Sequence, residues 1–311
     1  MKTNISLILI LCLLLGACKN GNASSQSKNE TPQDTIKAIK MPAIPQMMTA
    51  PEQRADFLAK HYWDNVNFAD TNYIHHPEVT EQAWADYCDL LNHVPLETAQ
   101  QAMRNVIDRT NVDKKVFTYI TDLADKYLYD PNSPMRNEEF YIPVLEAMIA
   151  SPVLNETEKI RPQARLKLAQ KNRIGTKALN FTYTLASGAQ GSLYQLKAEY
   201  LLLFINNPGC QACTETIEGL KNAPVINQLL QEKKLVLLSI YPDEELDEWK
   251  KHLSEFPNEW INGYDKKFTI KEEQVYDLKA IPTLYLLDKD KTVLLKDATA
   301  PAIEAYLMQH Q

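Results

Sequence analysis

At 311 residues, 45% of them hydrophobic and 23% charged, with only 8 glycines, the chain has the composition of an ordinary globular protein and the length for two cores. Its 33 basic and 40 acidic residues give a net charge of −7. No basic stripe with interleaved aromatics occurs, so no nucleic-acid partner is predicted.

The first 18 residues differ from everything after them. Lys2 is followed by an apolar run from Ile5 to Leu15, broken only by Ser6, and then by Gly16-Ala17-Cys18. The run is shorter than the roughly 20 residues a stable membrane-spanning helix needs, so residues 1–17 read as a secretory signal that is removed. Leu15-Gly16-Ala17-Cys18 resembles the bacterial lipobox, in which the cysteine is acylated and the chain is cut just before it. That resemblance implies Cys18 as a lipidated amino terminus. It also implies a membrane contact through the lipid anchor and a periplasm-facing place in the cell envelope, on the inner or outer membrane. A plain signal peptide that contains a cysteine is the alternative. Residues 18–49, rich in Asn, Ser, Lys, Gln and Pro, bury too little apolar surface to fold and read as a flexible tether.

Residues 50–173 carry helical periodicity and no strand pattern. Thr49 and Glu52 have capping-box spacing ahead of Leu58, Tyr62, Val66 and Ala69. Further stripes run through Trp84, Tyr87, Cys88 and Leu91, through Leu96, Ala99, Met103 and Val106, and through Val116, Ile120, Leu123 and Tyr127. Another helix is predicted over 138–150, and Pro162 is expected to start or kink the last one. The region reads as an all-helical bundle of about six helices. Cys88, on an apolar stripe, reads as a core thiol. His75 and His76 are adjacent, so their side chains diverge, and no ligand spacing completes a metal site. No function is legible in this half.

From 174 to 311 the period changes. Phe181 to Leu185 alternates like a strand, and the apolar run Tyr200 to Ile205 suits a buried one, ended by Asn206-Asn207-Pro208-Gly209. A helix is predicted from Cys210, a strand over 235–241, a helix over 242–254, strands over 283–287 and 293–296, and a helix over 301–310. Strands alternating with helices imply an α/β sandwich, so the fold class is α+α/β, a helical bundle followed by the sandwich.

Cys210-Gln211-Ala212-Cys213 follows a buried strand and opens a helix. A disulfide is broken by thiolate attack, and a helix amino terminus offers free N–H groups and a positive dipole end to an anionic sulfur. The spacing lets Cys213 resolve a mixed disulfide formed at Cys210. Two other readings compete: half of a zinc site, for which no second pair exists once Cys12 is removed and Cys18 acylated, and a structural disulfide closing a short loop. Neither a metal nor a cofactor is predicted.

Strand, Cys-x-x-Cys, helix and then Ala280-Ile281-Pro282-Thr283 opening a later strand is similar to the thioredoxin fold, especially its membrane-tethered TlpA/ResA-type branch. The resemblance covers about Gly175 to Gln311. It implies a cis Pro282 facing the cysteines, with Ile281 and Thr283 beside it binding extended substrate. It also implies protein or small-molecule disulfides and dithiols as substrates, and an envelope redox partner that recycles the pair. The helical half resembles only a domain of unknown function found ahead of thioredoxin-like domains in bacterial lipoproteins.

The chain departs from the family pattern at three places. Gly209 replaces the tryptophan that usually precedes the first cysteine, Phe204 stands where thioredoxin carries a buried carboxylate, and Thr216 stands where the tethered branch carries a glutamate. Glu215 and Glu218 read as a solvated helix face. A peroxidase of the same fold would want a threonine at Asn207 and an arginine beyond Arg173, and both are missing. A non-enzymatic alternative is a thioredoxin-fold binding module, either an envelope scaffold or a copper handler, since paired thiolates suit Cu(I), with His252 as the nearest sequence candidate for a third ligand.

Overall fold

The computed structural model describes residues 38–310. The signal, Cys18 and most of the tether lie outside those residues. The last part of the expected tether is held: Ile39 packs against the helical core, and the Lys40 carbonyl accepts from Asn65 Nδ2 at 2.9 Å.

Six α-helices build the amino-terminal region: α1 (Pro51–His61), α2 (Pro77–Leu91), α3 (Leu96–Arg109), α4 (Lys114–Ala124), α5 (Glu138–Ala150) and α6 (Glu156–Ala169). The Thr49–Glu52 capping box does not form. Ala50 is the N-cap, without a side-chain cap, and α1 starts on Pro51, whose fixed φ suits the first helical position. Asp113 caps α4 by accepting from the N–H groups of Lys115 and Val116, at 2.8 and 3.1 Å. Helix α6 opens with a reciprocal box: Asn155 Oδ1 accepts from Glu158 N, and Glu158 Oε2 accepts from Asn155 N. Pro162 therefore lies inside α6 and does not start it. A π-helical turn, Asp125–Tyr129, continues α4.

Most residues of the apolar stripes meet in one core that includes Trp84, Tyr87, Leu91, Met103 and Phe117, while Ala69 and Leu96 stay exposed. Cys88 is part of it, and burial pushes its thiol up to about 12. Trp63 and Trp84 lie there with ring centroids 6.1 Å apart.

The remaining chain forms a seven-stranded mixed sheet in the order β2-β1-β5-β4-β3-β6-β7. The strands are β1 (Thr182–Leu185), β2 (Gln190–Ser192), β3 (Tyr200–Ile205), β4 (Leu235–Tyr241), β5 (Ile261–Tyr264), β6 (Thr283–Asp288) and β7 (Val293–Lys296). Between them run α7 (Gln211–Lys221), α8 (Pro224–Gln231), α9 (Leu246–His252) and α10 (Thr269–Glu272), and α11 (Ala300–His310) follows. Strand β3 lies inside the sheet, parallel to β4 and antiparallel to β6, with Ile205 opposite Thr283. That pairing brings the end of β3, where the cysteines begin, beside the start of β6.

Alternate residues of the sheet feed two apolar layers. Leu202, Phe204 and Leu284 pack with Ile217 of α7, Ile226 of α8 and Ile303 of α11. Leu203, Ile205 and Tyr285 pack on the other side with Ile270 and Tyr276. Trp260 lies in the first layer, 6.3 Å from Phe204 between ring centroids, and Trp249 lies 5.1 Å from Tyr264. The sequence reading lacks β2, β5, α8 and α10. It also starts α9 too early, because Asp243 is taken up by Asn207 Nδ2 and Lys271 Nζ before the helix begins.

Candidate active site

Gly209 carries a φ of 69°, the left-handed region that glycine enters without strain, and so turns the chain sharply between β3 and α7. No ring stands at that position. Cys210 follows as the N-cap of α7, and its sulfur accepts the N–H of Cys213 at 3.3 Å, occupying the place an oxygen usually takes at a helix start. A sulfur so placed faces the free N–H groups of the first turn of α7.

The two cysteines are unequal. Both are free thiols; Cys210 is half-buried and Cys213 buried. Burial, and next the hydrogen bond with Cys210, push the Cys213 thiol up to about 12, against a smaller pull downward from the Asn207 N–H. At neutral pH Cys213 keeps its proton.

The Ile281–Pro282 peptide bond is cis. The Cys210 thiol points at the Ile281 carbonyl with 3.8 Å between sulfur and oxygen, so the loop before β6 stands over that sulfur. Thr283 is buried, and its hydroxyl donates to Ala280 O at 2.5 Å, closing that loop on itself. Cys210, Cys213 and Ile281 are thus brought together. Pro282 follows in the same loop, while Thr283 serves it from within.

Other candidates lie elsewhere. Glu215 pairs with Gln211 and Glu218 with Lys221, all along the outer side of α7. Both ring nitrogens of His252 are engaged, by Glu248 at 3.1 Å and Glu255 at 2.6 Å. Among the described residues no group of three or more His, Cys, Asp or Glu is gathered as a metal site. Beside the Cys210 loop a cavity of 360 Å³ is lined by Asn207, Pro208 and Tyr241, by Asp243, Glu244, Glu245 and Glu248, and by Lys271.

Sequence reasoning missed a cluster of charges just behind the loop. Lys279 Nζ lies 3.0 Å from Asp297, 3.2 Å from Asp277 and 3.4 Å from Glu138 of the helical region. Burial alone would lower the Lys279 pKa, but those three carboxylates outweigh it and hold it above the ordinary lysine range. The other Glu138 oxygen binds Lys296. A capping pattern marks Glu138 as a first-turn residue, but nothing local in the sequence joins it to Lys279.

Residues 17–172 match a family described as a domain of unknown function (DUF5106), and residues 198–293 match one described as thioredoxin-like. A thioredoxin-like protein from Bacteroides caccae is 83% identical over 89% of this chain and 100% of its own, with a TM-score of 0.87. The carboxy-terminal domain of an uncharacterized protein from Bacteroides fragilis is 70% identical over 44% of this chain and 98% of its own, with a TM-score of 0.44. A conserved protein of unknown function from Bacteroides fragilis is 36% identical over 43% of this chain and 98% of its own, with a TM-score of 0.43. No curated protein matches the chain.

Proposed function

We propose, from the premise that this chain belongs to the DUF5106 family and carries a thioredoxin-like domain behind that region, that it is a thiol–disulfide oxidoreductase of the cell envelope. A redox role in general follows from the fold. The finer reading rests on one observation: a half-buried Cys210 sulfur at a helix amino terminus, under the Ile281 carbonyl, with the buried thiol of Cys213 behind it.

The chemistry follows in two steps. The Cys210 thiolate attacks one sulfur of a substrate disulfide; a Cys210–substrate bond forms, the substrate bond breaks, and the departing sulfur takes up a proton. Cys213, whose proton is the one passed to that departing sulfur, then attacks the Cys210 sulfur as a thiolate. The Cys210–Cys213 disulfide forms, and the second substrate thiol leaves. The substrate gains two electrons and the pair loses two, which a dithiol partner in the envelope restores. Run backwards, the same steps oxidise a dithiol. Ile281, Pro282 and Thr283 present the backbone against which extended substrate lies, and Cys18 carries the lipid that keeps the enzyme at the membrane.

Reduction of insulin disulfides tests the first part. Cys210→Ser is expected to abolish turnover, and Cys213→Ser to stop it after one step, with mixed disulfides visible on non-reducing gels. Equal loss in both variants with no trapped species would make the pair structural. For the anchor, Cys18→Ser is expected to move the protein from the detergent-requiring fraction to the soluble one, and a variant that stayed with the membrane would defeat the lipobox reading.

A further inference from the structure

We infer that Glu138, in the helical region, is a positioning residue for the redox site: it grips Lys279 and so sets the loop that stands over Cys210. The inference rests on the disulfide-exchange reading above and gives the helical region a part in it.

Lys279 precedes Ile281 by two residues, so at most about 7 Å of extended backbone separates their Cα atoms. The loop is held from several directions. On its sheet side Thr283 pairs with Ile205, and its hydroxyl closes on Ala280 O. At its entry Asp277 Oδ1 accepts the Lys279 N–H at 3.0 Å. Across the junction Glu138 reaches Lys279 with one oxygen and Lys296, at the end of β7, with the other. Lys296 Nζ also donates to the Lys171 carbonyl at 2.7 Å. The Tyr129 ring, 5.4 Å from Lys279 Nζ, adds a second contact from the helical side.

These are not solvated surface charges. The Lys279 and Lys296 side chains are 9% and 7% exposed and that of Glu138 is 13% exposed, so water screens the pairs little. The cluster holds three carboxylates, Glu138, Asp277 and Asp297, against two ammonium groups. Glu138→Gln therefore leaves Lys279 with two carboxylate partners, and the variant is expected to fold. What it loses is the charged grip from across the junction, and with it the fixed distance between the Ile281 carbonyl and Cys210.

Insulin reduction by the full-length protein, measured over a range of insulin concentrations, separates this role from a purely structural one. Glu138→Gln is expected to raise KM about tenfold with kcat within twofold of the parent and with the rate toward a small aromatic disulfide, Ellman's reagent, unchanged. Glu138→Asp, one methylene shorter, should raise KM about threefold. An unchanged KM in Glu138→Gln would overturn the inference, as would a matched fall in kcat and in the Ellman rate, which is the mark of general damage. Should the glutamine variant not fold, an unchanged KM in Glu138→Asp overturns it instead. Failure of the redox reading looks different: the parent protein itself would show no Cys210-dependent turnover, and the inference would fall with it.

Discussion

Cys88 and Cys213 are both buried thiols whose pKa lies near 12, for the same first reason, loss of hydration for the charged form. In the unfolded chain each titrates near the ordinary value of about 8.5. Above that pH the unfolded chain gives up protons that the folded one keeps, so stability falls as pH rises through the window from about 9 toward 12. The reduced protein is therefore expected to lose urea resistance between pH 8 and 10, before tyrosines contribute much. Cys88→Ala should lower the midpoint at pH 7 through lost packing yet flatten its decline with pH; an undiminished slope would mean that Cys88 is hydrated. At this scale the cysteine pair was within reach of the sequence through its spacing and the strand pattern before it, whereas Ile281-Pro282 was reached only through the resemblance to the thioredoxin fold. Lys279 was not. Alone it reads as one more surface lysine, and its partner Glu138 is 141 residues away in the chain.

Helix α6 and strand β5 show why some elements were readable and others were mistaken. Pro162 reads as starting or kinking the last helix, whereas the signal that starts it is Asn155 with Glu158 three residues later, the stronger one because it satisfies two N–H groups at once. Asn155→Ala is expected to cost about 1 kcal/mol, read from the shift in the denaturation midpoint. Strand β5 contains Asn262-Gly263, a pair that alone signals a turn. Its glycine answers to tertiary packing instead: a Cβ at Gly263 would lie 3.0 Å from Tyr183 Cδ2 and 3.3 Å from the Thr184 carbonyl. Gly263→Ala should therefore destabilise by about 1–3 kcal/mol, and by less in a Tyr183→Ala background. Additive effects of the two changes would remove the steric explanation.

Across the molecule the two halves own separate apolar cores and meet largely through polar groups. Asn172, buried and with φ of 50°, donates to the Val275 carbonyl at 2.8 Å and accepts from Leu179 N at 2.7 Å, and the Glu138 cluster lies beside it across the same junction. The hydrophobic period changes near Gly175, whereas long-range charge pairing leaves no periodic trace. A fragment of residues 50–172 is expected to melt cooperatively on its own, since every fully buried residue of its core lies within it and only the half-buried Ile39 packs on from outside. A broad, non-cooperative transition would show that the halves share more than their junction.

The placement of the four tryptophans makes the chain its own optical instrument. Trp63 and Trp84 sit in the helical core, Trp249 and Trp260 against the sheet, and all are shielded from water. Among the described residues the indole N–H groups of Trp63, Trp84 and Trp260 have no protein hydrogen-bond partner, so exchange for phenylalanine gives up volume but no hydrogen bond within the described protein. A chain with Trp63→Phe and Trp84→Phe emits only from the sheet, and one with Trp249→Phe and Trp260→Phe only from the bundle. While Glu138 ties the halves, each emission should redshift near the midpoint that circular dichroism gives for the same variant; with Glu138→Gln added, the one colour should lag behind the other.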